Sequence, residues 1–319
     1  MGWLKDFVFR LLKIEPASEK EIVIREPLTF RANVLKNQIW YRGDPVELEQ
    51  FFKTVAFHDV AMTRFWASVP HGRVRKIHSG IVSIVVDRYS DIVASDFDGI
   101  SFGETGSETP VLDAWNEIAE ECGFEDLIRE GLRGTLSSGD GAYKISITPE
   151  STAPVLSFYE ADSVDLIRQG RKVTAVRFYT PYRDGKKEYR LEEEYGKGYV
   201  AYKLYDDAGR EVPLDTLADT AGYEYTTFNG DFMMAVPVMF FESSKWKGRG
   251  KALFDAKTDV LDALDEVISQ WLDAIRMGRV KRYIPEDMIP RDPNTGGLLE
   301  SNPFDNDYIA VGSSNKEGA

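Results

Sequence analysis

The sequence predicts an α+β fold, with a helical N-terminal part, an antiparallel β-rich middle, a long stem-like helix and a small β-containing tail. Three observations carry that expectation. Apolar residues recur at helical spacing up to about residue 137, short strands rich in Tyr, Phe and Val fill 141–242, and a long amphipathic stretch occupies 253–277. The chain has 319 residues, 43% hydrophobic and 12% aromatic, the make-up of a folded protein of about two domains.

At the N-terminus, Trp3, Leu4, Phe7, Val8, Leu11 and Ile14 form one face of a short amphipathic helix. Lys5, Asp6, Arg10 and Lys13 interrupt it too often for a signal peptide, and docking on protein is expected rather than lying on a membrane. After a linker at 15–27, residues 46–57 and 59–67 are expected to be helical, carrying Leu48, Phe51, Phe52, Val55, Phe65 and Trp66. The Val69-Pro70-His71-Gly72 run breaks the pattern. Residues 74–93 place apolar side chains at 74, 77, 81, 85, 89 and 92. The stretch 81–86 is β-branched enough for a strand, but the length of the pattern favours a helix. A Gly/Ser/Thr-rich loop at 98–109 then leads into a helix over 110–137, with Pro110 suited to its first turn.

From residue 141 to 242, turn signals at Asp184-Gly185, Gly196-Lys197-Gly198, Asp207-Ala208-Gly209 and Asn229-Gly230 separate short strands. Tyr179, Tyr182, Tyr189, Tyr195, Tyr199, Tyr202 and Tyr205 suit hairpins with one wet face. Residues 245–251 link this sheet to the long helix, and beyond it 280–284 and 308–311 are expected to pair as strands. The chain thus divides into a body over 1–245, a helix over 246–278 and a tail over 279–319.

The long helix has two faces. Leu253, Val260, Leu264, Val267, Trp271 and Ile275 line one side, expected to pack inward; Asp255, Asp259, Asp262, Glu266 and Asp273 line the other, expected to face water or a polyanion. At a rise of ~1.5 Å per residue it is a rod of roughly 37 Å. Arg276, Arg279, Lys281 and Arg282 follow it, where cations complement the helix dipole by ~0.3–1 kcal/mol. A solvated surface helix and a functional acidic wall both fit this pattern.

Composition narrows the function classes. The chain has 53 acidic against 39 basic side chains, a formal charge of −14, so a conventional nucleic-acid-binding protein is not expected. The single cysteine, Cys122, excludes an intramolecular disulfide and a Cys-cluster zinc site, and fits a reducing compartment. No run reaches the roughly 18 apolar residues of a membrane span. His58, His71 and His78 lack the i, i+4 pairing of a helical metal site and are expected on the surface or in caps. There is no G-x-S-x-G motif, and Lys247-Gly-Arg-Gly-Lys251 is not a phosphate-binding loop. No catalytic residue, metal or cofactor is expected. A carbohydrate-active enzyme using two of the many acids is the remote alternative.

Several segments, taken in order, resemble the portal proteins of tailed bacteriophages, especially those of siphophages and prophages of Gram-positive hosts. They are Asn37-Gln-Ile-Trp-Tyr-Arg-Gly-Asp44, Phe65-Trp66 with Arg75-Lys-Ile-His-Ser-Gly80, and Leu136-Ser-Ser-Gly-Asp-Gly-Ala-Tyr-Lys-Ile-Ser146. Gly248-Arg-Gly-Lys-Ala-Leu-Phe254, the long helix and Arg282-Tyr-Ile-Pro-Glu-Asp-Met-Ile-Pro-Arg-Asp292 complete the set. The resemblance implies a homo-oligomeric ring, usually a dodecamer, at the capsid vertex of the virion, assembled in the host bacterial cytoplasm. Double-stranded DNA would pass through it without sequence specificity. Its partners would be the large terminase, head–tail connector proteins, and capsid and scaffold proteins, with no membrane. By that analogy residues up to 245 are wing-like, 246–278 a stem-like helix and 279–319 a partial clip.

The second stem helix, tunnel loop and crown of such proteins have no counterpart, and a C-terminally truncated chain is expected. Asp255, Asp259, Asp262, Glu266 and Asp273 would then face the channel, repelling phosphate so that DNA slides. Arg276, Arg279, Lys281 and Arg282 would contact DNA or a neighbouring subunit. A non-portal phage structural or adaptor protein is the alternative.

Overall fold

The structure, a computed structural model, describes residues 28–58, 65–68, 74–102, 110–147 and 154–278, with short stretches at 282–285, 288, 291, 293–296 and 308–311. Helices and antiparallel sheets make it α+β, as the sequence predicts. The first described helix, α1 (Phe30–Arg42), starts where the Thr29 side chain accepts the Ala32 N–H at 3.2 Å and ends at Gly43, which adopts φ 73°. Helical apolar spacing does not announce α1, because its buried side mixes Asn33, Lys36 and Asn37 with Val34, Ile39 and Trp40.

Helices α2 (Pro45–His58), α3 (Ile81–Ser95), α4 (Pro110–Glu121) and α5 (Phe124–Ser138) follow. Trp40, Phe51, Phe52, Phe65, Val82, Val86, Leu136 and Phe254 build one core among the helices, with the Phe52 and Phe65 rings 4.5 Å apart. The expected helix over 110–137 is two helices, because Gly123 turns left-handed at φ 58° between α4 and α5. Cys122 is half-buried at that break, with Sγ 3.5 Å from the Leu156 N–H.

Two antiparallel sheets follow. β1 (Asp140–Ser146) is the centre of a three-stranded sheet, flanked by β2 (Val155–Glu160) and β9 (Ala235–Met239). The second sheet runs in order β3 (Val164–Gln169), β4 (Lys172–Asp184), β5 (Lys187–Gly196), β6 (Tyr199–Asp206) and β7 (Glu211–Val212), and β8 (Thr226–Thr227) also pairs with β6. The expected turns at Gly185, Gly198 and Gly209 connect β4 through β7. Period-two alternation buries Tyr189, Leu191, Glu193 and Tyr195 on one face of β5, the dry face of these hairpins.

Ala142 of β1 and Ala235 of β9 share a core with Val164, Val176, Phe178, Tyr195 and Val200, which joins the two sheets. Inside this core Lys144 Nζ lies 2.8 Å from Glu193 and 3.0 Å from the Tyr159 hydroxyl. Burial is the largest single influence on Lys144 and would lower its pKa, but the charge of Glu193, the Tyr159 hydroxyl and the hydrogen bonds to both together outweigh it and hold the ammonium above its ordinary value. Helix α5 lies close on the first sheet because Gly134 carries no side chain: a Cβ there would stand 2.5 Å from the Phe158 ring.

The long helix is α6 (Thr258–Met277), entered through a 3-10 turn at Asp255–Lys257. Beyond it, β10 (Arg282–Pro285) and β11 (Tyr308–Val311) pair as expected, and in parallel. The N-terminal amphipathic helix expected over residues 3–14 lies outside the described residues.

Candidate functional site

The long helix is the feature on which the sequence expectation rests, and the structure reverses its orientation. Its buried residues are Thr258, Asp262, Asp265 and Ser269, spaced by four, three and four. The expected inward side is outward instead: Val260 is 67% exposed, Val267 62%, Trp271 65% and Ile275 49%. Leu264, on the same stripe, is half-buried, and so is Leu253 before the helix begins. At ~100° per residue both stripes are faces of one helix; only their assignment to inside and outside changes.

The polar face turns inward because the stretches 65–68 and 74–79 lay their backbone against it. Asp262 accepts the Trp66 N–H at 2.7 Å on one carboxylate oxygen and the Ala67 N–H at 3.0 Å on the other. Asp265 accepts the Ser79 N–H at 2.8 Å and lies 2.7 Å from His78 Nδ1. Ser269 Oγ accepts the Ile77 N–H at 2.9 Å and donates to the Asp265 carbonyl at 2.7 Å. Lys76 holds the other side of these stretches, donating to the Ala67 carbonyl at 2.9 Å and lying 3.5 Å from Glu49.

Residues 59–64 of the helix expected over 59–67 lie outside the described residues, and Trp66–Ser68 is a 3-10 turn whose leading N–H groups go to Asp262. These bonds account for one correction to the secondary structure. The helix expected from residue 74 begins at Ile81, because the Ile77 and Ser79 N–H groups are taken by Ser269 and Asp265. His78, expected on the surface or in a cap, is buried against Asp265 and packs 5.2 Å from the Trp40 ring. The His58 and His71 side chains lie outside the described residues.

The five acids expected to form one exposed wall therefore separate. Asp262 is buried and bonded within the chain, and burial raises its pKa, with Asp265 and Glu266 adding to a shift that the two backbone N–H groups oppose. Asp255 sits at the junction with α1, accepting from Asn33 at 2.9 Å and Asn37 at 3.0 Å, with Lys36 Nζ 3.8 Å away. Burial lowers the Lys36 pKa against the pull of Asp255. Asp259 remains exposed, and Glu266 and Asp273 are half-exposed. Among the basic residues, Arg276 is half-buried in the last turn of α6, where its charge complements the helix terminus. Arg279, Lys281 and the Arg282 side chain lie outside the described residues.

Before the helix, residues 248–254 bond directly to residues 136–140. Arg249 makes a two-pronged contact with Asp140 at 2.9 and 2.8 Å, reaches Asp165 at 3.0 Å and donates to the Ala161 carbonyl at 2.7 Å. Asp140 also accepts the Gly250 N–H at 2.7 Å, and the Leu253 N–H reaches the Leu136 carbonyl at 2.9 Å. Gly250 is required by contact: a Cβ there would stand 2.0 Å from the Gly139 carbonyl oxygen. The Gly-rich basic run is thus a clasp between β1 and α6, with its guanidinium consumed internally.

Sequence reasoning missed Asn33, Lys36, Asn37, Asp265 and Ser269. For α6 the signal was present: Asp262, Asp265 and Ser269 repeat at the spacing that marks an inward face, but in polar residues. Among the described residues no cluster of three or more metal-ligating side chains occurs, and no helix is long and apolar enough to cross a membrane. No protein-family model matches the chain, and no curated protein matches it.

Proposed function

We propose that the chain is a portal-type structural subunit that assembles into a ring at a phage capsid vertex, through which double-stranded DNA is packaged and ejected. Its partners in this reading are further copies of itself, the large terminase, head–tail connector proteins, and capsid and scaffold proteins. The observation that carries the reading is the outward apolar stripe of α6, whose polar side is already engaged inside the fold. A helix of that polarity suits packing against another chain better than standing in water, since contiguous exposed apolar surface marks interaction sites. The ordered motifs that resemble portal proteins name the kind of assembly.

The channel wall expected from five acids is narrowed by the internal roles of Asp255 and Asp262, so the reading rests on assembly and not on that row. The test is a mass measurement and negative-stain images of the protein expressed from its complete reading frame. Rings of about a dozen subunits with a central hole are the expected result. A monomer, or a compact oligomer without a hole, would overturn the proposal.

A further inference from the structure

Phe97, Trp115 and Phe124 wall a cleft between the stretch after α3, the side of α4 and the start of α5. The Trp115 and Phe124 rings meet edge to face at 4.8 Å, and Phe97 lies 6.0 Å from Phe124. Four carboxylates line the cleft, Asp98, Glu120, Glu125 and Asp126, and among the described residues no basic side chain does. Glu125 and Asp126 already have a local role: they complement the first turn of α5 and face Arg129 at 3.9 and 3.0 Å. Asp98 and Glu120 are exposed, and no cation among the described residues pairs with them. At about 810 Å³ the cleft admits the side chains of one helix face but not a whole helix, ~10–12 Å across. Aromatic walls rimmed by carboxylates suit an apolar face edged with cations.

We infer that residues 3–14 of the same chain dock in this cleft as an amphipathic helix. Trp3, Leu4, Phe7, Val8, Leu11 and Ile14 share one face of that segment. At ~100° per residue Arg10 falls roughly 20° beyond Trp3 at one edge of the face, and Lys5 roughly 60° beyond Val8 at the other. Lys13 and Asp6 fall together on the back, where their charges offset. The two edge cations thus stand where Asp98 and Glu120 can meet them once the apolar face is seated. The chain is long enough for this. Helix α1 packs on α5, whose length is ~22 Å, and residues 15–27 span up to ~43–47 Å when extended. The run 103–109, which joins the cleft's own walls, is a poorer occupant, because Gly-Glu-Thr-Gly-Ser-Glu-Thr has no large apolar side chain and brings two more acids.

The experiment uses the full chain with Cys122→Ser and Leu11→Cys, carrying either Ala119→Cys inside the cleft or Ala114→Cys on the far side of α4, followed by mild oxidation. A disulfide within one chain should form with Ala119→Cys, in at least tenfold higher yield than with Ala114→Cys. Asp98→Lys with Glu120→Lys should lower that yield at least fivefold, and adding Lys5→Glu and Arg10→Glu should restore most of it. Circular dichroism of each variant separates misfolding from lost docking. Equal yields at the two positions, an unchanged yield in the folded charge variant, or no rescue would overturn the inference. Links formed only between copies would overturn it too, by giving the cleft to a neighbour's segment. So would the absence of any link in a chain that pellets with phosphatidylserine vesicles, which assigns the segment to a membrane. None of these outcomes depends on ring formation, so failure here leaves the portal reading standing.

Discussion

Replacing Asp262 by alanine removes the acceptor for two backbone N–H groups. The Trp66 and Ala67 donors, at 2.7 and 3.0 Å, would be left beneath α6 without a partner. An unsatisfied buried donor costs ~1–3 kcal/mol, so two cost roughly 2–6 kcal/mol. Part of that is offset, because burial disfavours the charged form of Asp262 and alanine no longer has to hold it there. A net loss of about 2–3 kcal/mol is expected. For a chain of this size that lowers Tm by roughly 4–12 °C, at ~2–4 °C per kcal/mol. Urea and thermal unfolding at fixed protein concentration measure it, with Gln270→Ala on the exposed side of the same helix as the control, expected within ~0.5 kcal/mol. A loss for Asp262→Ala no larger than for that control would refute the claim that the carboxylate holds residues 66–67 to α6.

The same carboxyl sets a pH dependence. Its folded pKa is raised above 3.8, so the native state holds the proton more readily than the unfolded chain. The stabilisation it contributes is present below about 3.8 and lost as pH rises through the folded value. The stability of the parent minus that of Asp262→Asn should therefore fall with rising pH in that window; a rise would contradict it. Lys144→Ala strands the buried Glu193 carboxylate and should cost roughly 3–5 kcal/mol in urea unfolding, whereas Lys144→Met with Glu193→Leu should recover most of the loss. Arg249→Lys keeps the charge but loses the two-pronged contact with Asp140, and about 1–3 kcal/mol of stability should go with it. Gly134→Leu forces α5 off the sheet at Phe158 and should destabilise by ~1–3 kcal/mol or more, read as a lower unfolding midpoint.

Much of the architecture was legible in the residues. The hairpin turns at Gly185, Gly198 and Gly209 follow from local chemistry, because positive φ is cheap only for glycine. The pairing of 282–285 with 308–311 was legible from apolar content, though its parallel sense was not. The start of α1 at Thr29 and its end at Gly43 carried readable capping signals, yet its polar inner side hid it from apolar spacing. The start of the helix at 81–95 was not legible, because the backbone donors just before it, at Ile77 and Ser79, go to side chains nearly two hundred residues away.

For α6 the sequence by itself determined which residues share a stripe, since 3.6 residues per turn fixes that whatever surrounds the helix. It left open which stripe faces inward. Burying Asp262, Asp265 and Ser269 is favourable only where donors are waiting, and those donors are the Trp66, Ala67, Ile77 and Ser79 N–H groups together with His78. Bringing them beneath the helix is a property of the whole fold. Tertiary structure therefore decided that the polar face is the inner one, and that Val260, Val267 and Trp271 stand outside.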